Sequence, residues 1–231
     1  MARSLRKIVQ QKSTEKIMKN TQGGFTLVEI AIVLVIIGLL LGGVLKGQEL
    51  INSAKVKNFA NDFRNTPLFI YGYQDKFRRL PGDDNGAVAR FSGASTVDGN
   101  GNGAIAGKYN DTVAIGGESV RFWQHIRLAG LAAGSTDFSS DATAGLPTNA
   151  DGGRIGIQMT APISTMTGSY FVCSEGIQGK FAKQLDINMD DGNAATGSMQ
   201  VMGTVTGTAT PAGLATASIV DGTPYTVCLS F

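Results

Sequence analysis

Apolar residues run almost unbroken from Phe25 to Leu45, and Glu29 is the single charge among them. At about 1.5 Å per residue, such a run forms a helix long enough to cross a bilayer core. Beyond it the pattern narrows to one helical face. Val56, Phe59, Phe63, Ile70, Tyr73 and Phe77 recur at spacings of three, four and seven, while Lys55, Lys57, Asp62, Arg64, Asp75, Lys76 and Arg78 fall mostly elsewhere. One long helix is therefore expected from about Phe25 to Arg79. Pro67 should kink it by removing a donor and crowding the preceding turn, and Leu80-Pro81-Gly82 should end it.

After Pro81 the apolar runs shorten, and Gly, Thr, Ser, Asn and Asp dominate. A helix is expected over Glu118–Leu131, with Phe122, Ile126 and Ala129 on one side and Trp123 beside them. A second is expected over Ile177–Leu185, where Ile177, Phe181 and Leu185 repeat every four residues. Strands are expected at Arg154–Met159, Ser169–Cys173, Met199–Thr206 and Tyr225–Phe231, each short and bounded by Gly or Pro turn signals. Thr204–Ser218, rich in Thr, Ala and Gly, reads as an exposed loop. A helix followed by mostly antiparallel strands is an α+β arrangement. Three segments result: a leader over 1–24, a long helix over 25–80 whose part 25–45 spans the membrane, and a globular head over 81–231.

The net charge of +2 conceals a contrast between these segments. The leader has Arg3, Arg6, Lys7, Lys12, Lys16 and Lys19 against Glu15, hence +5, whereas residues 45–80 carry +4 and residues 81–231 carry −6. A basic leader ahead of an apolar span places residues 1–24 on the cytoplasmic side and sends the remainder across the membrane. No small-residue cleavage site follows the apolar run, so this is not an ordinary secretory signal. An acidic head gives no electrostatic footprint for phosphate, and nucleic acid is not an expected partner.

Glu29 is the anomaly in the apolar run. A carboxylate in a membrane helix costs roughly 2.5–3.5 kcal/mol at the bilayer centre, so it normally has a partner or a task. No basic residue lies within the span. The remaining candidate is an amine from outside this helix, such as the amino terminus of a neighbouring copy cut after Gly24. Gly24-Phe25-Thr26-Leu27-Val28-Glu29, after a basic leader and before an apolar run, closely resembles the prepilin peptidase site of type IV pilins and type II secretion pseudopilins. An ordinary signal anchor with a chance Glu is the plain alternative.

The resemblance implies cleavage between Gly24 and Phe25 and N-methylation of the Phe25 amine, and it makes Glu29 the acidic residue that attracts a neighbour's amino terminus during assembly. It implies a lollipop outline, with the long helix packed under a mostly β head. The implied partners are prepilin peptidase, an inner-membrane assembly platform, inner-membrane lipid before assembly, and other pilin subunits in a helical filament. The precursor would sit in the inner membrane, and the product in an extracellular pilus or a periplasmic pseudopilus. A locally melted stretch in assembled pili usually lies near a proline where this chain has Lys46; Gly42-Gly43 could serve instead. Gly38 and Gly42 also form a small-xxx-small pair, although glycine is common in membrane helices.

An exported compartment permits Cys173 and Cys228 to pair, and the resemblance favours pairing, since pilins often staple their last strands to the head in this way. Two free buried thiols are the alternative. Leu80-Pro81-Gly82-Asp83-Asp84, Asp98-Gly99-Asn100-Gly101-Asn102-Gly103, Trp123-Gln124-His125 and Asp190-Asp191-Gly192 together resemble a head type of prepilin-type proteins in Gram-negative bacteria. That head type names no partner.

Asp98, Asn100 and Asn102 occupy the first, third and fifth positions of a calcium-loop pattern, with Gly103 sixth. Tyr109 stands where the bidentate Glu belongs. A polar turn explains the same residues, unless Asp83-Asp84 or Asp190-Asp191 are brought close. His125, the single histidine, is expected at the surface or partly buried on its helix. It has no residues around it in sequence that would make a triad or a zinc quartet. No glycine-rich phosphate loop follows a strand and opens a helix. The expectation is a non-enzymatic structural subunit. Its rivals are a type II secretion pseudopilin and a membrane-anchored adhesin or binding protein that never polymerises.

Overall fold

The computed structural model describes residues 23–92, 96–113, 116–138, 145–203 and 210–231. The expected leader up to residue 22 and residues 204–209 of the Thr/Ala-rich loop lie outside the described residues. The chain divides into two compact units, one ending at Gly47 and one starting at Gln48.

In the first unit, Gly23 to Thr26 is non-helical, and helix α1 (Leu27–Phe77) begins directly after it. None of the described residues up to Gly47 is buried. By length and apolar composition this helix can cross a membrane.

In the second unit α1 turns amphipathic. Val56, Phe59, Ala60, Phe63, Thr66, Ile70 and Tyr73 are buried, which is the face expected from the spacing. Pro67 lies inside the helix without ending it. Next to it, the buried Thr66 hydroxyl donates to the Asp62 carbonyl at 3.0 Å, so this polar group in the core has a partner on its own helix. The helix stops at Phe77, two residues before the expected end. Arg78 leaves it with φ of 57°, a left-handed conformation that cannot continue a helix.

The remaining elements among the described residues are α2 (Ala87–Phe91), α3 (Glu118–Leu128), β1 (Ile155–Gln158), β2 (Phe171–Gln178), α4 (Gly179–Met189), β3 (Met199–Met202) and β4 (Pro224–Ser230), with one 3-10 turn at Thr216–Ser218 inside the stretch expected as a loop. The four strands form one antiparallel sheet in the order β1-β2-β4-β3. Side chains alternate across it. Ile155, Ile157, Val172, Val201 and Val227 share a core with Phe59, Phe63, Phe122, Ile126, Phe181 and Leu185. Phe171, Cys173, Met202 and Cys228 join Tyr109, Ile163 and Met166 in a second core. Both faces are covered, so the strands read as continuous apolar runs. The fold is α+β, a long apolar amino-terminal helix followed by a small antiparallel sheet with helices.

Several further details differ from expectation. Ile177 belongs to a strand and not to a helix: β2 runs through a bulge between Ser174 and Ile177, where Gly176 has φ of 72°, and then pairs Ile177 with Tyr225. The four-residue repeat to Phe181 and Leu185 persists because all three side chains reach the same core. Helix α3 ends at Leu128, capped by Ala129 and followed by Gly130 at φ of 74°. Strand β3 ends at Met202, short of the expected Thr206; residues 204–209 lie outside the described residues. Helix α2, five residues long, is too short to show a period.

Candidate functional site

The non-helical stretch Gly23–Thr26 carries the expected cleavage point, with Phe25 82% exposed and open space around Gly24. Thr26 caps α1. Its hydroxyl accepts from the Glu29 amide at 3.2 Å, while its own amide and hydroxyl both donate to Glu29 Oε2 at 2.8 Å. This is a reciprocal capping box, Thr-x-x-Glu, at the start of the helix. The carboxylate that lacks a basic partner in its span therefore has a local polar one three residues back, a pairing that the spacing alone could have revealed.

In the head, the turn after α1 and the Asp98–Gly103 loop form one clasp. Five consecutive amides of that loop are accepted by three acidic residues. Gly99 N–H donates to the Asp84 carbonyl and Gly101 N–H to the Asp83 carbonyl, both at 2.9 Å. Asn102 and Gly103 donate to the two carboxylate oxygens of Asp83 at 3.0 and 2.7 Å, and Asn100 to Glu118 at 2.9 Å. Ala106 adds a bond to the other Glu118 oxygen at 2.8 Å. Asp83 and Glu118 are 4% and 3% exposed, so these amides are what satisfies them in the interior. Gly99 is required here, because a Cβ would lie 2.2 Å from the Asp83 carbonyl carbon.

Asp84 is fully buried and accepts from the Tyr73 hydroxyl at 2.6 Å, from the Gly86 amide at 2.9 Å, and from the Arg90 guanidinium. Burial pushes its carboxyl up, but the bonds from Tyr73, Gly86 and Arg90 together outweigh it and hold the group below the usual range.

His125 is also fully buried, deeper than its sequence suggested. Its Nδ1 accepts from the Gly82 amide at 3.0 Å, and Nε2 lies 2.9 Å from the Val97 carbonyl. These partners require the neutral tautomer protonated on Nε2. Burial lowers its pKa. Below the unperturbed value of about 6.5 the unfolded chain therefore takes up a proton that the native state resists, and stability falls as pH drops from there toward the native pKa. His125→Ala should cost about 2–3 kcal/mol by stranding two backbone groups. It should also flatten the decline in melting temperature below pH ~6.5. A pH series of thermal melts on both proteins checks this, and an unchanged slope would rule out His125 as its source.

The oxygens proposed for calcium have other partners. Asp98 Oδ1 accepts from the Val88 amide in the first turn of α2 at 2.8 Å. Asn100 Oδ1 accepts from Asn102, and Asn102 Oδ1 from Ala104, both at 2.9 Å. The clasp accounts for the order of this loop by protein bonds. Of the two acidic pairs weighed from sequence, Asp83 is brought to the loop; Asp190 and Asp191 instead gather with Asp186, which sequence reading had not singled out.

Cys173 and Cys228 are directly opposite each other on β2 and β4 and form a disulfide, with Cα atoms 4.1 Å apart. Both are fully buried in the second core.

No curated protein and no solved structure matches the chain. Residues 19–45 match the prokaryotic N-terminal methylation motif. The stretch that contains Gly24, Phe25, the Thr26–Glu29 cap and the start of the apolar helix thus identifies the chain as a bearer of the methylation motif characteristic of type IV pilins and pseudopilins.

Proposed function

We propose that this chain is a structural subunit, a pilin or minor pilin, of a type IV pilus-like filament. The observation that carries the reading is the join of three features within a few residues: the methylation motif, an exposed non-helical peptide at Gly24–Phe25, and an apolar helix with no buried residue before Val56. A peptidase needs accessible, non-helical backbone at the bond it cuts. A helix with so much bare apolar surface needs lipid first and neighbouring copies afterwards.

In this reading the leader holds the precursor in the inner membrane, prepilin peptidase removes it, and Phe25 is N-methylated. The assembly platform then docks the helix into a filament. The Asp98–Gly103 loop serves in this reading as a clasp held by Asp83 and Glu118.

Two experiments test the reading. Gly24 replaced by a bulky residue should abolish processing, as the resemblance of Gly24-Phe25 to the prepilin peptidase site implies; nothing in the chain itself crowds a side chain there, so a lost cut would be the peptidase's own selection, and a mature-sized band from that variant would move the cut elsewhere. Mass spectrometry of sheared surface filaments should find a peptide beginning at N-methylated Phe25. The same peptide confined to the membrane fraction, with a secretion defect on deletion, would make the chain a pseudopilin. An uncleaved leader beside an active peptidase would leave a non-polymerising anchored adhesin or binding protein.

A further inference from the structure

We propose that the head binds a calcium ion where α4 meets the loop leading to β3, through the carboxylates of Asp186, Asp190 and Asp191. The inference is independent of whether the chain polymerises.

Asp186 lies in the last turn of α4, is 1% exposed, and has no hydrogen-bond partner for either carboxylate oxygen among the described residues. A buried carboxylate with two orphaned oxygens costs several kcal/mol unless something satisfies it. Its surroundings make the cost worse. Asp190 caps the same helix, with its amide donating to the Asp186 carbonyl at 2.8 Å, and Asp191 follows. One oxygen of each of the three lies within 4.8 Å of the others.

The local field favours a cation as well. The carboxyl end of a helix carries partial negative charge, and the last turn of α4 contains no basic residue. The nearest lysine on the helix, Lys183, is turned to Asp221 at 2.5 Å and to the Ile219 carbonyl.

The other two carboxylates are held in place by the loop. Asp190 accepts from the Ser198 hydroxyl at 3.0 Å and from the Met199 amide at 2.8 Å. Asp191 accepts from the Asn193 amide and the Thr196 hydroxyl, both at 2.8 Å. Each of these oxygens keeps a second lone pair for an ion. An all-oxygen, carboxylate-rich set on a turn suits a hard cation with adaptable coordination, which is calcium before magnesium, with water completing the shell. The ion would join α4 to the first residue of β3, an edge strand of the sheet.

The test uses the full chain in detergent, stripped with chelator and titrated with calcium chloride by calorimetry and thermal melting. One saturable site is expected, with a dissociation constant on the order of 10⁻⁴–10⁻³ M, as for extracellular calcium modules. The melting temperature should rise with calcium by mass action. Asp191→Asn should weaken binding by about tenfold or more, as loss of one charged ligand predicts. Asp186→Asn should abolish binding and raise the melting temperature in chelator, because it removes the buried charge. Asp98→Asn should bind like the parent. The proposal is overturned by no saturable binding, by binding that survives both Asp186→Asn and Asp191→Asn, by loss of binding in Asp98→Asn, or by magnesium binding as tightly as calcium.

Discussion

Glu29→Gln and Glu29→Ala should both be cleaved and methylated normally yet fail to enter filaments, while Thr26→Ala should still enter them. The distinction rests on the capping box. In the subunit, Glu29 Oε2 is held by the amide and hydroxyl of Thr26. Glutamine keeps an oxygen that can accept those bonds but removes the charge that would attract a neighbour's Phe25 amine. If charge pairing drives docking, incorporation should fall roughly tenfold to hundredfold, corresponding to the loss of a charge-assisted bond of about 1.5–3 kcal/mol. Thr26→Ala loses only a cap, about 1 kcal/mol of local helix stability. The measurement is the ratio of each variant in sheared filaments to its cleaved pool in the membrane. Parental incorporation of Glu29→Gln would show that Glu29 serves as a helix cap and not as a docking charge.

The second large effect is expected from removing the disulfide. The bond closes a loop of 55 residues, and in the chain-entropy model that stabilises the fold by roughly 4 kcal/mol. The two cysteines are cross-strand partners in the middle of the β2–β4 pairing, and their sulfurs fill the second core beside Phe171 and Met202. Cys173→Ala with Cys228→Ala should therefore lower the melting temperature by on the order of 10 °C, at about 2–4 °C per kcal/mol for a domain of this size. The expected consequence in cells is loss of the protein to proteolysis before assembly. Thermal melting of the oxidised parent and the double variant decides the point, and a shift within a degree or two would mean that packing alone holds β2 to β4.

Much of this fold was legible from apolar spacing. The face of α1 from Val56 to Tyr73, the core side of α3 and all four strand locations follow from periods of about 3.6 and 2 residues. The errors arose where period is uninformative. At Ile177 a bulge lets a strand residue keep helical spacing to Phe181, and α2 is shorter than two turns. The clasp was beyond sequence reading for another reason. Asp83 and Glu118 act on amides 12 to 20 residues away, and His125 on backbone 28 and 43 residues away, so nothing local announces them. The Thr26–Glu29 box and the i, i+4 pair Asp186–Asp190 were local signals, and the first was legible without any structure.

The strand order has a consequence for biogenesis. In β1-β2-β4-β3, the strand between β2 and β3 is the last of the four to be synthesised. Until residues 224–230 emerge, β2 and β3 have no common partner, and each presents an open row of amides and carbonyls. Such edges are templates for wrong pairing. The partner of Cys173 is also missing until then, so any earlier oxidation joins two different chains. Completion of the sheet thus waits for β4, and a chain stalled before it would be a sticky one. Proteases and thiol oxidases would meet open strand edges and a lone Cys173 thiol only in the interval before β4 pairs with β2 and β3.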